Sequence, residues 1–82
     1  MKIMDANTNA LIMSGDLFLK DADNTSAIAC YQKALMFELE KQTCVKVINN
    51  LGIAYKRQSS FENAIAMFQK GIKIDPSYAA FY

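Results

Sequence analysis

The chain has 82 residues and a net charge of +1 at pH 7, and it contains no His. A chain of this length forms one small domain, taken here as residues 1–82, and its balanced charge gives no general attraction to nucleic acid or to acidic membranes. Without His, the commonest general base and the commonest neutral metal ligand are missing. Hydrophobic residues make up 52% of the sequence, a high share that raises the question of self-assembly.

The two cysteines and the N-terminal segment bear on the compartment. Cys30 and Cys44 fit no metal-binding spacing and have no His beside them. We expect them to act as small apolar residues in a reducing compartment. The apolar run 10–13 is too short for a signal peptide or a membrane span. The sequence therefore predicts a cytoplasmic protein with no metal, no cofactor and no membrane segment.

The hydrophobic period predicts four helices joined by short polar turns. In chain order they span about residues 8–20, 24–40, 44–58 and 61–74. A short polar side chain precedes each helix and can accept hydrogen bonds from the free amides of its first turn. These expected N-caps are Asn7 or Thr8, Asp23, Thr43 and Ser60.

The second helix is expected to run long, because residues 38–43 contain no helix breaker. The same feature leaves open a variant in which the second and third helices merge into one. Pro76, by contrast, closes the fourth helix, since Pro suits the first turn of a helix and not its interior. Asp75 is then expected to cap a terminal helical stub.

Small and aromatic residues mark the third and fourth helices. Leu51, Gly52 and Tyr55 share one helix face, and Ala64 and Phe68 lie one turn apart on the next helix. A Gly inside a helix costs up to ~1 kcal/mol relative to Ala. That cost is tolerable where two helices approach so closely that a Cβ would clash. We therefore expect Gly52 to lie directly against the neighbouring helix.

The first half of the chain carries a weaker copy of this pattern, 37 positions upstream. The matched positions are Gly15 with Gly52, Phe18 with Tyr55, Ala27 with Ala64, Ile28 with Ile65 and Tyr31 with Phe68. The copy has Ser14 in place of Leu51, and no Pro closes it. The chain thus contains two repeats, over about residues 8–41 and 45–78, and the start of a third at 79–82.

These landmarks resemble the tetratricopeptide repeat, a helix-turn-helix unit of ~34 residues with the pattern L-G-x-x-Y, A-x-x-x-F and P. Residues 45–78 follow that pattern, although Ile48 stands where the family often has Trp and Gly71 where it has Ala. Residues 42–44 account for the longer spacing between the two copies. The resemblance implies an all-α fold of antiparallel helix-turn-helix repeats. That fold is an α-solenoid of about two repeats plus the terminal stub.

The helical period also predicts the core. In the first repeat the expected core residues are Leu11, Gly15, Phe18, Ala27, Tyr31, Ala34 and Leu35. In the second repeat they are Ile48, Leu51, Gly52, Tyr55, Ala64, Ile65, Phe68, Gly71 and Ile72.

The resemblance further implies a function, because the first helices of successive repeats in this family line a concave groove that holds a partner peptide or helix. Carried onto this sequence, the groove residues are Asn9, Ile12, Asp16, Leu19, Lys20, Lys46, Asn49, Asn50, Ile53, Lys56 and Arg57. Asn side chains can bond to the main chain of a ligand, and the cations would favour an acidic segment. The alternative is that these residues form an ordinary solvated helix face.

Three other functions are less well supported. Some family members clamp the C-terminal carboxylate of chaperones with Lys and Asn, but this chain has Ile12 and Asp16 at those places. The sequence offers no His to activate Cys or Ser and no Gly-rich phosphate loop, which argues against an enzyme. Nucleic-acid binding would rest on Lys46, Lys56 and Arg57 alone. We therefore expect a non-enzymatic module that binds a protein or peptide.

The C-terminal face suggests self-assembly as an alternative function. A repeat buries its apolar face on the next repeat, so the last one needs a cap or a partner. The residues concerned are Ile65, Phe68, Ile72, Tyr78, Phe81 and Tyr82. The chain would be part of a longer array, would associate with itself, or would fold its stub back as a cap. Self-association, giving a homo-oligomer, is the favoured explanation for the chain as given.

Overall fold

The computed structural model describes residues 6–77, which form four α-helices and no strand. The helices are α1 (Ala6–Lys20), α2 (Asn24–Ala34), α3 (Lys41–Arg57) and α4 (Phe61–Ile74). Short turns join α1 to α2 and α3 to α4, and each pair packs as a hairpin. In addition, α2 packs against α3, and α1 touches α3. The predicted all-α fold of two helix-turn-helix units is confirmed. The predicted stub beyond Ser77 lies outside the described residues.

The two hairpin turns have the same backbone geometry. Ala22 and Ser59, 37 positions apart, both adopt the left-handed conformation, with φ of 64° and 62°. In each turn, the backbone amide of the residue after the left-handed one donates to a carbonyl in the last turn of the preceding helix. Asp23 donates to the Phe18 carbonyl at 2.8 Å, and Ser60 donates to the Tyr55 carbonyl at 2.9 Å. This is the Schellman arrangement, which satisfies carbonyls that a helix end leaves unpaired. The internal repeat therefore extends to the turns.

The helix starts match the predicted caps at some positions and not at others. Asp23 caps α2, where its carboxylate accepts from the Ser26 amide at 3.2 Å. Ser60 occupies the N-cap position of α4 but makes no capping bond through its side chain. The prediction of Thr43 for α3 is wrong, because α3 already begins at Lys41 with Glu40 as its N-cap.

The long second helix is the largest error in the sequence-based prediction. Helix α2 ends at Ala34, not near residue 40, and residues 35–40 form a non-helical link. The merged variant of the second and third helices is therefore also wrong. Leu35 and Leu39 in this link both pack against the core, and their burial turns the chain away from the axis of α2. Tertiary packing has overridden a helix propensity that no local breaker opposed.

The core lies between the two hairpins and within the second one. Its fully or nearly fully buried hydrophobic residues are Ala27, Tyr31, Ala34, Val45, Val47, Ile48, Leu51, Ala54 and Ala64. Two residues predicted for the core are instead exposed, Phe18 at 37% and Ile65 at 54%. They lie on the two end faces of the stack, where no further repeat covers them within residues 6–77. Leu11, Leu35, Tyr55, Phe68 and Ile72 are half-buried.

The two helical glycines lie where the sequence pattern requires close packing. A Cβ added to Gly15 would lie 2.7 Å from Cε1 of Tyr31. One added to Gly52 would lie 2.5 Å from Cε1 of Phe68. Both distances are shorter than the ≈ 3.5–4.0 Å at which carbon atoms attract one another. Each hairpin thus places an aromatic ring of its second helix directly on a glycine of its first, as predicted.

Candidate functional site

Helices α1 and α3 lie side by side and form a shallow groove between the two repeats. A small cavity of about 70 Å³ opens along it, and α1 supplies Ile12 and Asp16 to its wall. Its other lining residues, from α3, are Thr43, Lys46, Val47 and Asn50. Four of the predicted groove residues, Ile12, Asp16, Lys46 and Asn50, are therefore brought together here.

Asp16 is the polar centre of this groove. Its Oδ1 accepts a hydrogen bond from the Tyr31 hydroxyl at 2.5 Å and another from Nδ2 of Asn50 at 3.2 Å. These contacts link α1 to α2 and to α3, so one carboxylate oxygen joins three helices. Burial, and then the bond to Asp16, raises the pKa of Tyr31 well above its usual value. The Tyr31 hydroxyl therefore stays protonated and acts as a donor.

One predicted groove cation has a structural partner. Nη1 of Arg57 donates to the backbone carbonyl of Leu19 at 2.9 Å, close to the C-terminus of α1. A cation at that place also interacts favourably with the helix dipole. Leu19 itself is half-buried and packs against the core. Arg57 thus makes a hydrogen bond between the two repeats, and Leu19 contributes to the core.

The remaining predicted groove residues differ in exposure. Asn49 and Ile53 of α3 are half-buried, whereas the exposed ones are Asn9, Lys20, Lys46 and Lys56. Among the predicted groove residues, cationic side chains thus outnumber carboxylates. The one carboxylate is Asp16, whose Oδ1 accepts two hydrogen bonds. The exposed charge along α1 and α3 is therefore predominantly positive.

Two family models for the tetratricopeptide repeat match this chain, one over residues 45–78 and the other over residues 8–40. The chain belongs to the tetratricopeptide repeat family. The two matches coincide with the two helix hairpins, so α1 and α3 are the first helices of successive repeats. No curated protein matches the chain. Tetratricopeptide repeats are protein-interaction modules, and the groove between α1 and α3 is the face on which their first helices meet.

The end face formed by α4 exposes part of the predicted self-association surface. Ile65 is 54% exposed, and Phe61 on the same helix is 56% exposed. Phe68 and Ile72 are half-buried, since both also pack toward the cluster around Val45 and Ile48. Tyr78, Phe81 and Tyr82 lie outside the described residues.

The opposite end of the tetratricopeptide repeat stack carries a cleft that the sequence reasoning missed. It has a volume of about 740 Å³ and lies between α1 and α2. Its apolar lining includes Ala10, Leu11, Phe18, Cys30, Met36 and Phe37. Met36 is 83% exposed, and Met13 on the same helix as Leu11 is 65% exposed. Leu11 and Phe18 were assigned to the core because the helical period shows which face is apolar, but not whether another element covers it.

The described part of this tetratricopeptide repeat chain also bears on membranes, metals and thiols. No helix within residues 6–77 has both the length and the hydropathy needed to cross a membrane. The same residues contain no cluster of His, Cys, Asp or Glu placed to hold a metal ion. Cys30 and Cys44 are free, and burial raises the pKa of the Cys44 thiol, which favours its neutral form.

Proposed function

We propose that this chain is a non-enzymatic module that holds an acidic peptide segment of a partner protein in the groove between α1 and α3. The observation that carries the proposal is the meeting of Ile12, Asp16, Lys46 and Asn50 around one small cavity at the junction of the two repeats. An apolar side chain, an amide and a cation in one concavity are the elements that peptide recognition needs.

The charge of the groove favours an acidic partner. Lys20, Lys46 and Lys56 are exposed along α1 and α3, and Asp16 is the one carboxylate among the candidate groove residues. A carboxylate on the peptide would gain charge-assisted hydrogen bonds from these ammonium groups. A basic peptide would meet like charge, which discriminates against it.

Selection of peptides from a random display library on the immobilised chain would test this function. We expect the enriched peptides to carry Asp or Glu. Their affinity, measured by fluorescence anisotropy, should fall about three- to tenfold in Lys46→Ala, the loss expected for one charge-assisted bond. Lys73→Ala is the matched control, because Lys73 is also exposed but lies on α4.

Two outcomes would contradict the groove proposal. Enriched peptides without acidic residues would remove its charge argument. Acidic peptides that bind Lys46→Ala and Lys73→Ala equally well would place the binding site outside the groove. The double variant Asn49→Ala with Asn50→Ala extends the test to the amides, and circular dichroism would verify that it is folded.

The second candidate function is self-assembly through the α4 face. The specific observation in its favour is the 54% exposure of Ile65, an apolar side chain on the last described helix. Phe61 on the same helix is 56% exposed, and contiguous exposed apolar patches mark protein interaction sites or aggregation liabilities. For either function we propose the cytoplasm as the site of action, supported by the free thiols Cys30 and Cys44.

A further inference from the structure

We propose that the apolar cleft between α1 and α2 receives helix α4 of a second copy of this chain, so that copies stack head to tail. This inference rests on self-assembly, the second candidate function, and adds the surface that would receive α4. It comes from the contact between the two repeats within one chain, which the second copy would reproduce.

Within the chain, helix α2 of the first repeat packs onto the second repeat. Its apolar side chains Ile28 and Tyr31, with Leu35 just beyond its end, belong to or pack against the cluster that contains Val47 and Leu51 of α3. Tyr31 is fully buried in this contact, and Val47 and Leu51 are 1% and 2% exposed. The internal contact is therefore a well-buried apolar interface with an inserting helix, α2, and a receiving surface.

Helix α4 carries the inserting side of the same interface. Ile28, Tyr31 and Leu35 correspond, 37 positions on, to the α4 residues Ile65, Phe68 and Ile72. The type of side chain is kept at every position, two aliphatic residues and one aromatic ring. Ile65 is 54% exposed and Phe68 is half-buried, whereas Ile28 is half-buried and Tyr31 is fully buried, so α4 leaves more of this surface exposed than α2 does.

The cleft at the other end carries the receiving side. Its residues Ala10, Leu11, Ser14, Phe18 and Cys30 correspond, 37 positions on, to Val47, Ile48, Leu51, Tyr55 and Met67. All five of those counterparts belong to or pack on the two apolar clusters of the core, the first of which joins the two repeats. Ala10, Ser14 and Cys30 in the cleft are smaller than their counterparts Val47, Leu51 and Met67. One chain thus bears both halves of the interface on opposite ends.

A coordinated change of polarity distinguishes the proposed contact from the internal one. Inside the chain, Asp16 and Tyr31 of the first repeat meet Asn50 of the second in a hydrogen-bonded group. The three counterparts across the intermolecular contact are Ile53 and Phe68 of one copy and Met13 of the next. All three are apolar, and Met13 is 65% exposed in the single chain. A purely solvent-exposed surface would be expected to keep polar side chains at these three positions. Their joint change to apolar residues therefore favours a buried contact.

Two polar bonds at the edge of the internal contact would not be reproduced. Gln32 donates to the Tyr55 hydroxyl at 2.7 Å, but the related position on the receiving side is Phe18. Gln58 donates to the Thr25 hydroxyl at 2.7 Å, and the related pair is the acidic Asp21 and Glu62. The intermolecular contact would therefore depend on apolar burial and be weaker than the internal one.

The geometry makes the contact heterologous, since different surfaces of the two copies meet. Such contacts leave one α4 and one cleft unoccupied after each addition, and they build open chains or closed rings. Pairing of α4 with α4 in a symmetric dimer is the competing arrangement. It would use Ile65 but would leave the α1–α2 cleft empty.

Complementation between two variants separates these arrangements. Ile65→Glu places a charge on the inserting face and leaves the cleft intact. Met13→Glu with Met36→Glu places charges on the receiving face and leaves α4 intact. All three positions are more than half exposed, so the fold tolerates them. Ala29→Glu is the control, because Ala29 and its counterpart Ala66 are exposed in both repeats.

Light scattering after size exclusion, over a wide concentration range, would give the mass of each species. We expect the wild-type chain and Ala29→Glu to associate, and each of the two interface variants alone to associate at least about tenfold more weakly. An equimolar mixture of the two interface variants should recover a dimer, twice the chain mass of 9.2 kDa, and nothing larger. The reason is that the double variant supplies an intact α4 face and Ile65→Glu supplies an intact cleft, so one contact can form between them and no further copy can add.

Three results would overturn the proposal. A mixture that stays monomeric would show that an intact α4 face and an intact cleft do not bind each other. Association that survives Met13→Glu with Met36→Glu but is abolished by Ile65→Glu would show that α4 pairs with itself; self-assembly would then stand without the cleft. A wild-type chain that is monomeric at every concentration would remove self-assembly and the head-to-tail contact together.

Discussion

At the scale of single residues, two glycines decide how closely the helices of each repeat approach. Gly15 lies under the ring of Tyr31 and Gly52 under the ring of Phe68, with no room for a Cβ at either place. The rings are side chains of the second helix in each hairpin, so the absence of two Cβ atoms sets the spacing of the hairpins.

Gly52→Leu is therefore expected to destabilise the chain by about 1–3 kcal/mol, the usual range for forcing extra atoms into a packed core. The helix propensity of Leu would offset part of the loss, since Gly is the poorer helix former by up to ~1 kcal/mol. Urea unfolding followed by circular dichroism would measure the change. Ala29→Leu, on the exposed face of α2, should leave the midpoint nearly unchanged. A midpoint for Gly52→Leu as high as that of the wild type would exclude close packing.

At the scale of the elements, the turns between paired helices are more regular than their sequences suggest. Both use a left-handed residue, yet the residues are Ala22 and Ser59 and neither is Gly. Left-handed geometry costs an L-residue roughly 1–2 kcal/mol, because its Cβ crowds the following carbonyl. The Schellman bonds of Asp23 and Ser60 hold the chain in this conformation despite that cost.

Replacing either residue by Gly should stabilise the chain. We expect Ala22→Gly and Ser59→Gly each to gain about 0.5–1 kcal/mol, because relief of the left-handed strain exceeds the entropy that Gly adds to the unfolded state. Thermal unfolding would show the gain as a higher melting temperature. Ala29→Gly, inside α2, provides a control of opposite sign and should lose about 1 kcal/mol. A loss at Ala22 similar to that at Ala29 would contradict the left-handed turn.

The sequence predicted the positions of the hairpins well and the link between them poorly. Landmarks such as Gly52, Ala64 and Phe68 depend on contacts inside one repeat, and a periodic pattern records those contacts. The end of α2 at Ala34 depends on where Leu35 and Leu39 find a core to join, which no local signal in residues 35–40 states. The bond from Arg57 to the Leu19 carbonyl was not predictable for a similar reason, since it joins residues of two different repeats.

At the scale of the whole molecule, the two repeats are joined by an apolar contact with one hydrogen-bonded polar group beside it. Tyr31 is fully buried, packs with Val47 and Leu51, and donates to Asp16, which also accepts from Asn50. Any rearrangement of one repeat against the other must break this group. The protonation of Tyr31 is therefore coupled to the folding of the whole stack.

Tyr31 should make the chain sensitive to alkali. Its pKa is raised in the folded chain, first by burial and then by Asp16, whereas an unfolded chain releases the same proton near pH 10. Above pH ~10 the folded state therefore still holds a proton on Tyr31 that the unfolded state has lost. The stability that Tyr31 contributes is present below pH ~10 and declines above it, by up to about 1.4 kcal/mol for each pH unit.

Tyr31→Phe tests this coupling, because it keeps the ring over Gly15 and removes only the hydroxyl. At neutral pH the variant should lose about 1–3 kcal/mol, since the charged Asp16 loses a hydrogen-bond donor. Above pH ~10 the wild-type chain begins to lose the stability that Tyr31 contributes. The free energies of unfolding of the wild type and of Tyr31→Phe should therefore converge. Urea titrations across that range would measure the difference, in which the raised pKa of Cys44 cancels because both chains carry that thiol. Parallel curves that never approach each other would show that Tyr31 titrates normally and does not link folding to its proton.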